Sequence, residues 1–160
     1  MGIVLIEDTR QQASKHIAKH QAFERMGVTL VRSKLAHGDY ALPPKVSVDT
    51  KQSIIELAAD IDNDHARFKR ECEGARDAGT QLVVLVENTC GVDSIESLAE
   101  WVEPVASFKR RKHAKRRIYG SRLAKACLTM EKRYGVRFEF CTPLESAERV
   151  LELLKGGGES

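Results

Sequence analysis

Leu82-Val83-Val84-Leu85-Val86-Glu87, residues 82–87, is a row of five apolar residues closed by a carboxylate. A strand with one wet face alternates apolar and polar residues, whereas an unbroken run of this length marks a strand covered on both faces, as in parallel sheets flanked by helices. The flanking sequence agrees. Before the run, Ile54, Leu57, Ala58 and Ile61 recur at helical spacing, and Asp64 offers an N-cap for a further helix over residues 65–78 that Gly79 stops. After it, Asp93 and Glu96 have capping-box spacing for a helix carrying Trp101, with Pro104 near its end. A helix over residues 121–134 ends at Gly135, and residues 136–141 form a last strand. Thr142, Pro143 and Glu145 then supply N-cap, N1 and N3 for a final helix lined on one face by Leu144, Ala147, Leu151 and Leu154.

Towards the N-terminus, residues 2–6 read as a strand, residues 11–26 as a helix closed by Gly27, and residues 28–35 as a second strand running to a turn at His37 and Gly38. Residues 40–42 and 46–51 are short extended pieces hinged at Pro43 and Pro44, expected to pair as a hairpin. Strands alternating with helices predict an α/β protein with a mixed central β-sheet flanked by helices, because parallel neighbours need crossovers and the hairpin adds antiparallel pairing. Residues 1–155 are expected to form one domain and residues 156–160 a flexible tail.

With 42% hydrophobic and 31% charged residues in 160, the composition is that of a soluble globular protein rather than a disordered or fibrous one. No apolar run approaches the roughly 20 residues needed to span a bilayer, and the acidic and polar residues that follow the short apolar start do not make a secretion signal. An intracellular, soluble protein of the cytoplasm or nucleoid is expected, with no membrane partner. Cys72, Cys90, Cys127 and Cys141 form no CxxC pair, so reduced and mostly buried thiols are expected rather than a zinc knuckle or a disulfide scaffold. Cys90 has no basic partner nearby to make it a nucleophile.

Net charge is +3, yet Lys109, Arg110, Arg111, Lys112, Lys115, Arg116 and Arg117 crowd into nine positions, and without these seven the chain would stand at about −4. The basicity is local, as on a surface that grips nucleic-acid phosphates with salt-dependent, sequence-independent affinity. Phe108 and Tyr119 stand at its edges, where base stacking is conceivable. His16 and His20 are four apart but lack the glutamate and further ligands of a metal motif, so a polar helix face is the reading. His37 is read as a turn residue beside Gly38 and Asp39.

Chemistry is best carried by Asp49 and Lys51, two apart on a strand and therefore on one face, with Thr50 pointing away. If the Pro43–Pro44 turn folds the two extended pieces together, Asp39 joins them, giving two carboxylates and an ammonium at one spot. That set suits phosphodiester hydrolysis: magnesium takes octahedral oxygen ligands, commonly one or two carboxylates with water and a phosphate oxygen, to which Thr50 can add its backbone carbonyl. The metal acidifies or orients water, and Lys51 steadies the phosphate or the water.

The same residues carry a family resemblance. Ile6-Glu7-Asp8-Thr9-Arg10 looks like the opening acidic-x-Arg motif of the XPF-like nuclease family, and Gly38-Asp39-Tyr40 resembles its Gly-Asp-aromatic step. Val48-Asp49-Thr50-Lys51 stands where that family has an apolar residue followed by Glu-Arg-Lys, Arg67-Phe68 looks like its Arg-Phe, and Leu85-Val86-Glu87 is similar to its strand ending in Glu. The acid that follows the Lys in the family falls at Ile55 here, with Glu56 next. The five motifs come in the family's order, within the PD-(D/E)XK superfamily.

The resemblance implies a restriction-endonuclease-like core and a Mg2+-dependent endodeoxyribonuclease, with Mn2+ able to substitute and no nucleotide cofactor. Fork, flap or junction DNA would be the substrate and DNA repair or recombination the setting. It implies Asp39 and Asp49 as metal ligands, beside the Thr50 carbonyl named above, and Lys51 as catalytic, with Asp8, Arg10 and Arg67 supporting the site or holding phosphate; the expected catalytic set is Asp39, Asp49, Lys51 and Asp8. A homodimer through this domain is plausible on the same grounds. The alternatives are a non-catalytic DNA-binding module on this fold and a Holliday-junction-resolving or restriction-type nuclease.

Overall fold

The computed structural model describes residues 3–35 and 38–156, which group into two compact units, Met1–Pro44 and Lys45–Ser160. The first unit is a small mixed sheet. Its central strand β1 (Val4–Glu7) runs parallel to β2 (Thr29–Arg32) and antiparallel to β3 (Tyr40–Ala41), in the order β2-β1-β3. Helix α1 (Ile17–Arg25) makes the crossover between β1 and β2. The helix expected over residues 11–26 is shorter. Gln12 is extended and His16 leaves helical geometry with no side-chain cap, so residues 13–15 form a separate 3-10 turn.

The second unit holds the all-parallel sheet β4-β5-β6, built from β4 (Val46–Lys51), β5 (Gln81–Glu87) and β6 (Arg137–Cys141). As the apolar run required, β5 is central, and Leu82 to Val86 are all at most 5% exposed. Helices α2 (Ile54–Asp62), α3 (His65–Asp77) and α6 (Gly120–Tyr134) send Leu57, Phe68 and Leu123 into the apolar core, where they meet Val84, Val86, Phe138 and Phe140. Helix α7 (Ser146–Gly156) packs on β4 and β5. Two short helices, α4 (Ile95–Glu100) and α5 (Val105–Arg110), precede α6. Gly120 lets α6 start against α4, for a Cβ there would come within 1.8 Å of the Leu98 carbonyl oxygen.

The α/β class and the mixture of parallel and antiparallel pairing are as expected, but the hairpin is not. β3 pairs with β1, and β4 pairs with β5. Leu42 and Pro43 each precede a proline and are steered to extended backbone, and the second proline disfavours the turn a hairpin needs, so the chain runs on. Three capping expectations also shift. Ser94, not Asp93, caps α4, its Oγ accepting from the Ser97 amide at 3.1 Å, and Trp101 stands just past the helix end. Asp64 sits at the start of α3 without capping it, its carboxylate lying 3.5 Å from Arg67 instead. The box of Thr142 and Glu145 forms, but on a 3-10 turn ahead of α7. The face bearing Leu144, Leu151 and Leu154 is exposed. His37 and residues 157–160 of the expected tail lie outside the described residues.

Candidate active site and basic cleft

Alternation on β4 turns Asp49 and Lys51 to one side and leaves Thr50 exposed on the other. Lys51 Nζ lies 2.8 Å from Asp49 Oδ2 and also bonds Asp60 on α2. The amine sits 5.1 Å from the centre of the Phe68 ring and is buried at 5% exposure. Burial by itself would push the Lys51 pKa down, but hydrogen bonds and charge from Asp49 and Asp60 outweigh it, so the ammonium is held above the ordinary lysine value. Lys51 is therefore a fixed cation and hydrogen-bond donor, not a base. Arg67 donates to Asp60 at 3.1 Å, which completes a chain of alternating charges.

Asp60 was missed by the sequence reading, although a signal existed: it lies three residues past Leu57, on the apolar stripe of α2. Glu56, the acid next after the expected position, is exposed and accepts from the Gln52 amide at 2.7 Å, a capping role. Glu71 on α3 has its pKa raised by burial and by the Asp49 charge. Cys72 is pushed up to about 11, first by burial and then by nearby carboxylates, which makes it an inert thiol.

In the first unit, Asp8 is 2% exposed and both its oxygens are taken. Oδ1 accepts from the Leu35 amide at 2.9 Å and Oδ2 from Arg10 Nε at 2.5 Å. The Leu35 amide first, then burial and Arg10, set its pKa, for a net shift below the ordinary aspartate value. Asp39 is exposed, its carbonyl accepts from the Asp8 amide at 2.8 Å, and it lines a shallow pocket of about 260 Å³ with Asp8, Arg10, Gln11 and Gly38. Gly38 takes φ +76°, which few other residues adopt at a turn. The neighbouring Glu7 is fully buried, with His20 Nε2 at 2.7 Å from Oε2 and Arg32 Nε at 3.1 Å from Oε1. His20 thus hydrogen-bonds a buried carboxylate rather than being part of a merely polar face. Asp49 and Lys51 are brought together in one unit, and Asp8, Arg10 and Asp39 in the other.

Magnesium would find hard oxygen donors here. Asp49 Oδ2 is a buried carboxylate oxygen held 2.8 Å from the Lys51 ammonium, and a carboxylate oxygen is the donor chemistry a divalent cation takes. Among the described residues, no group of three or more His, Cys, Asp or Glu side chains is placed to hold a metal by itself. The described donors therefore fit an ion that takes few carboxylates and completes its shell with water and phosphate.

The basic stretch has an internal organiser that the sequence reading also missed. Glu103 is fully buried between α4 and α5. Arg111 donates to it from two nitrogens at 2.7 and 2.6 Å, Ser107 Oγ at 2.8 Å and the Ile118 amide at 3.0 Å. Arg111 first, outweighing burial, lowers the Glu103 pKa to about 2. Arg117 is also engaged, donating to the Glu103 carbonyl at 3.0 and 2.7 Å. Two of the seven expected DNA-binding residues thus hold the segment's shape. The other five, Lys109, Arg110, Lys112, Lys115 and Arg116, are exposed, and no acidic partner pairs with them among the described residues. Beside them lies an open cleft of about 1140 Å³ between α2 and residues 111–119.

Among the described residues no helix is long and apolar enough to cross a membrane. The ERCC4 domain model matches residues 7–154. Among solved structures, XPF from Aeropyrum pernix is similar over 98% of this chain at 18% identity, with a TM-score of 0.49. XPF from Aeropyrum pernix in complex with DNA is similar over 98% at 16% identity, with a TM-score of 0.46. The present chain spans 65% of the first and 66% of the second. No curated protein matches the sequence.

Proposed function

The chain belongs to the ERCC4 domain family, as its five ordered motifs anticipated, and on that premise we propose that it is a metal-dependent DNA endonuclease acting on fork, flap or junction DNA. One observation carries the reading: β4 sets the Asp49 carboxylate 2.8 Å from the buried Lys51 ammonium, which Asp49 and Asp60 together keep charged. The Asp49 carboxylate and the Thr50 carbonyl would hold Mg2+ or Mn2+, which when bound would offset phosphoryl charge and acidify water. Lys51, fixed in its charged form, steadies a phosphate oxygen. Asp60 and Arg67 position Lys51, and Asp8 and Arg10 hold the loop beside Asp39. The exposed cations of residues 109–116 supply backbone affinity. A homodimer belongs to the same reading.

A second reading, a DNA-binding module without catalysis, is favoured by the tight engagement of Lys51 with two acids. Labelled forks, flaps, junctions and plain duplex incubated with magnesium, manganese or chelator separate the two. The expected result is metal-dependent cutting of branched DNA that Asp49→Asn and Asp39→Asn each reduce at least about 100-fold. Binding of every substrate with no cutting by the wild type would leave only the module.

A further inference from the structure

The cleft beside the basic segment has features that gripping a duplex backbone does not explain. Its cations stand on a braced frame: Glu103 ties Arg111 and the Ile118 amide, near the two ends of the segment, to one carboxylate, while the Glu103 amide donates to the Ile118 carbonyl at 2.8 Å. Lys112, Lys115 and Arg116 are therefore displayed without a competing acid of their own. The acid of the cleft, Asp62, is paired with Arg122. Two aromatic rings enter the lining. Phe108 is half-buried with Arg111 packed 5.9 Å from its centre, and Tyr119 is 51% exposed.

A tyrosine ring left half in water beside unpaired cations suits a partner that has phosphates and a flat apolar face. In a duplex the base faces are covered by their neighbours and only backbone and groove edges are offered, so an aromatic wall gains nothing from it. In an unpaired strand each base presents a free face for stacking. The cleft volume, about 1140 Å³, exceeds the roughly 300–1,000 Å³ of ordinary small-ligand sites, which fits an extended occupant.

Resting on the DNA reading above, we propose that this cleft binds a segment of unpaired DNA, with a base stacked on Tyr119 and the flanking phosphates held by Lys112, Lys115 and Arg116. The unpaired arm of a branched substrate would supply that strand. Recognition is by charge and stacking, so it is indifferent to sequence.

Fluorescence anisotropy in chelator, with a labelled oligothymidine, the matching duplex and an oligouridine, tests this without any cutting. Tyr119→Ala should weaken single-strand binding by about tenfold, within the range of roughly 5–150-fold that loss of one stacked base implies, and change duplex binding less than twofold. Tyr119→Phe keeps the ring and should retain most of the affinity. Lys115→Gln with Arg116→Gln should weaken single-strand binding and flatten its salt dependence by about 1.4, at about 0.7 per phosphate contact. Equal losses on single strand and duplex in Tyr119→Ala would overturn the proposal, as would tighter binding of the duplex or the RNA. Absence of cutting with single-strand binding intact sinks only the nuclease reading. Metal-dependent cutting with no single-strand preference sinks only this one.

Discussion

Glu7 and Glu103 are both fully buried carboxylates, one in each unit, and they are held in unlike ways. Glu103 meets a planar guanidinium fork, a hydroxyl and a backbone amide, four donors on two oxygens. Glu7 has one imidazole nitrogen on Oε2 and a single guanidinium nitrogen of Arg32 at 3.1 Å from Oε1, with no bidentate fork. A buried charge contributes only what its partners return for the lost water, and a bidentate arginine with two further donors returns more than a ring nitrogen and one guanidinium nitrogen. Their surroundings differ too. The second unit has an apolar core around β5, whereas in the first the residues described as buried are Glu7 and Asp8, and Ile3, Ile17, Met26 and Val31 are exposed. The second unit can lose a polar contact and keep its core; the first leans on its ion pairs.

The largest expected effect comes from Glu103→Gln. It leaves Arg111 partly buried without its counter-ion, and breaking such a pair costs roughly 3–5 kcal/mol, which at about 2–4 °C per kcal/mol lowers Tm by on the order of 10 °C. The sign with pH follows from the pKa shift. Because Glu103 is held at about 2 against an ordinary 4.5, its contribution is complete above about pH 4.5 and fades as pH falls towards 2. Urea unfolding of wild type and variant at pH 7 and at pH 2.5 should show a wide gap in stability that narrows in acid. A gap equal at both values would mean that the carboxylate charge is not what holds the segment.

Much of this architecture is legible in the sequence, because it depends on local patterns. The run of residues 82–86 announces a doubly covered strand, the spacing of Ile54, Leu57, Ala58 and Ile61 a helix, and Gly79 and Gly135 the helix ends, where both glycines adopt positive φ. The alternation that puts Asp49 beside Lys51 is equally local. What escapes is set by partners distant in the chain. Glu103 reads as a surface glutamate until Arg111 and Ile118 fold back over it, and Glu7 until His20 and Arg32 arrive from a helix and a neighbouring strand. Asp60 escapes for a related reason: on an apolar stripe an acid looks like an error in the pattern until the buried Lys51 ammonium is opposite it. The missing hairpin is not legible in the same way, because proximity in sequence does not imply pairing and the two prolines disfavour the turn.

A smaller effect is expected at the other glutamate. His20→Ala removes the hydrogen-bonded partner of Glu7 Oε2 and leaves a buried acceptor, a loss of about 1–3 kcal/mol. The loss should be local. Hydrogen exchange should quicken at the amides of β1 and β2, with β5 unchanged, and His20→Gln, which keeps a donor, should recover part of the protection. Equal acceleration in β5 would show that the two units unfold as one and that the contrast between them has no thermodynamic content.

The smallest effect sharpens the contrast within the basic segment itself. Lys112, Lys115 and Arg116 are exposed cations without an acidic partner among the described residues, so replacing any one with Gln should shift stability by less than about 0.5 kcal/mol, or about 1–2 °C in Tm. Mutual repulsion in so dense a cluster argues for a slight gain rather than a loss, largest at low salt where screening is weakest. Arg111→Gln, one position from Lys112, should instead approach the cost of Glu103→Gln, because it uncovers the same carboxylate. Thermal melts of the four variants at low and high salt measure this directly. If Arg111→Gln melted like its neighbours, the carboxylate would not be bracing the segment, and the display of cations beside the cleft would need another cause.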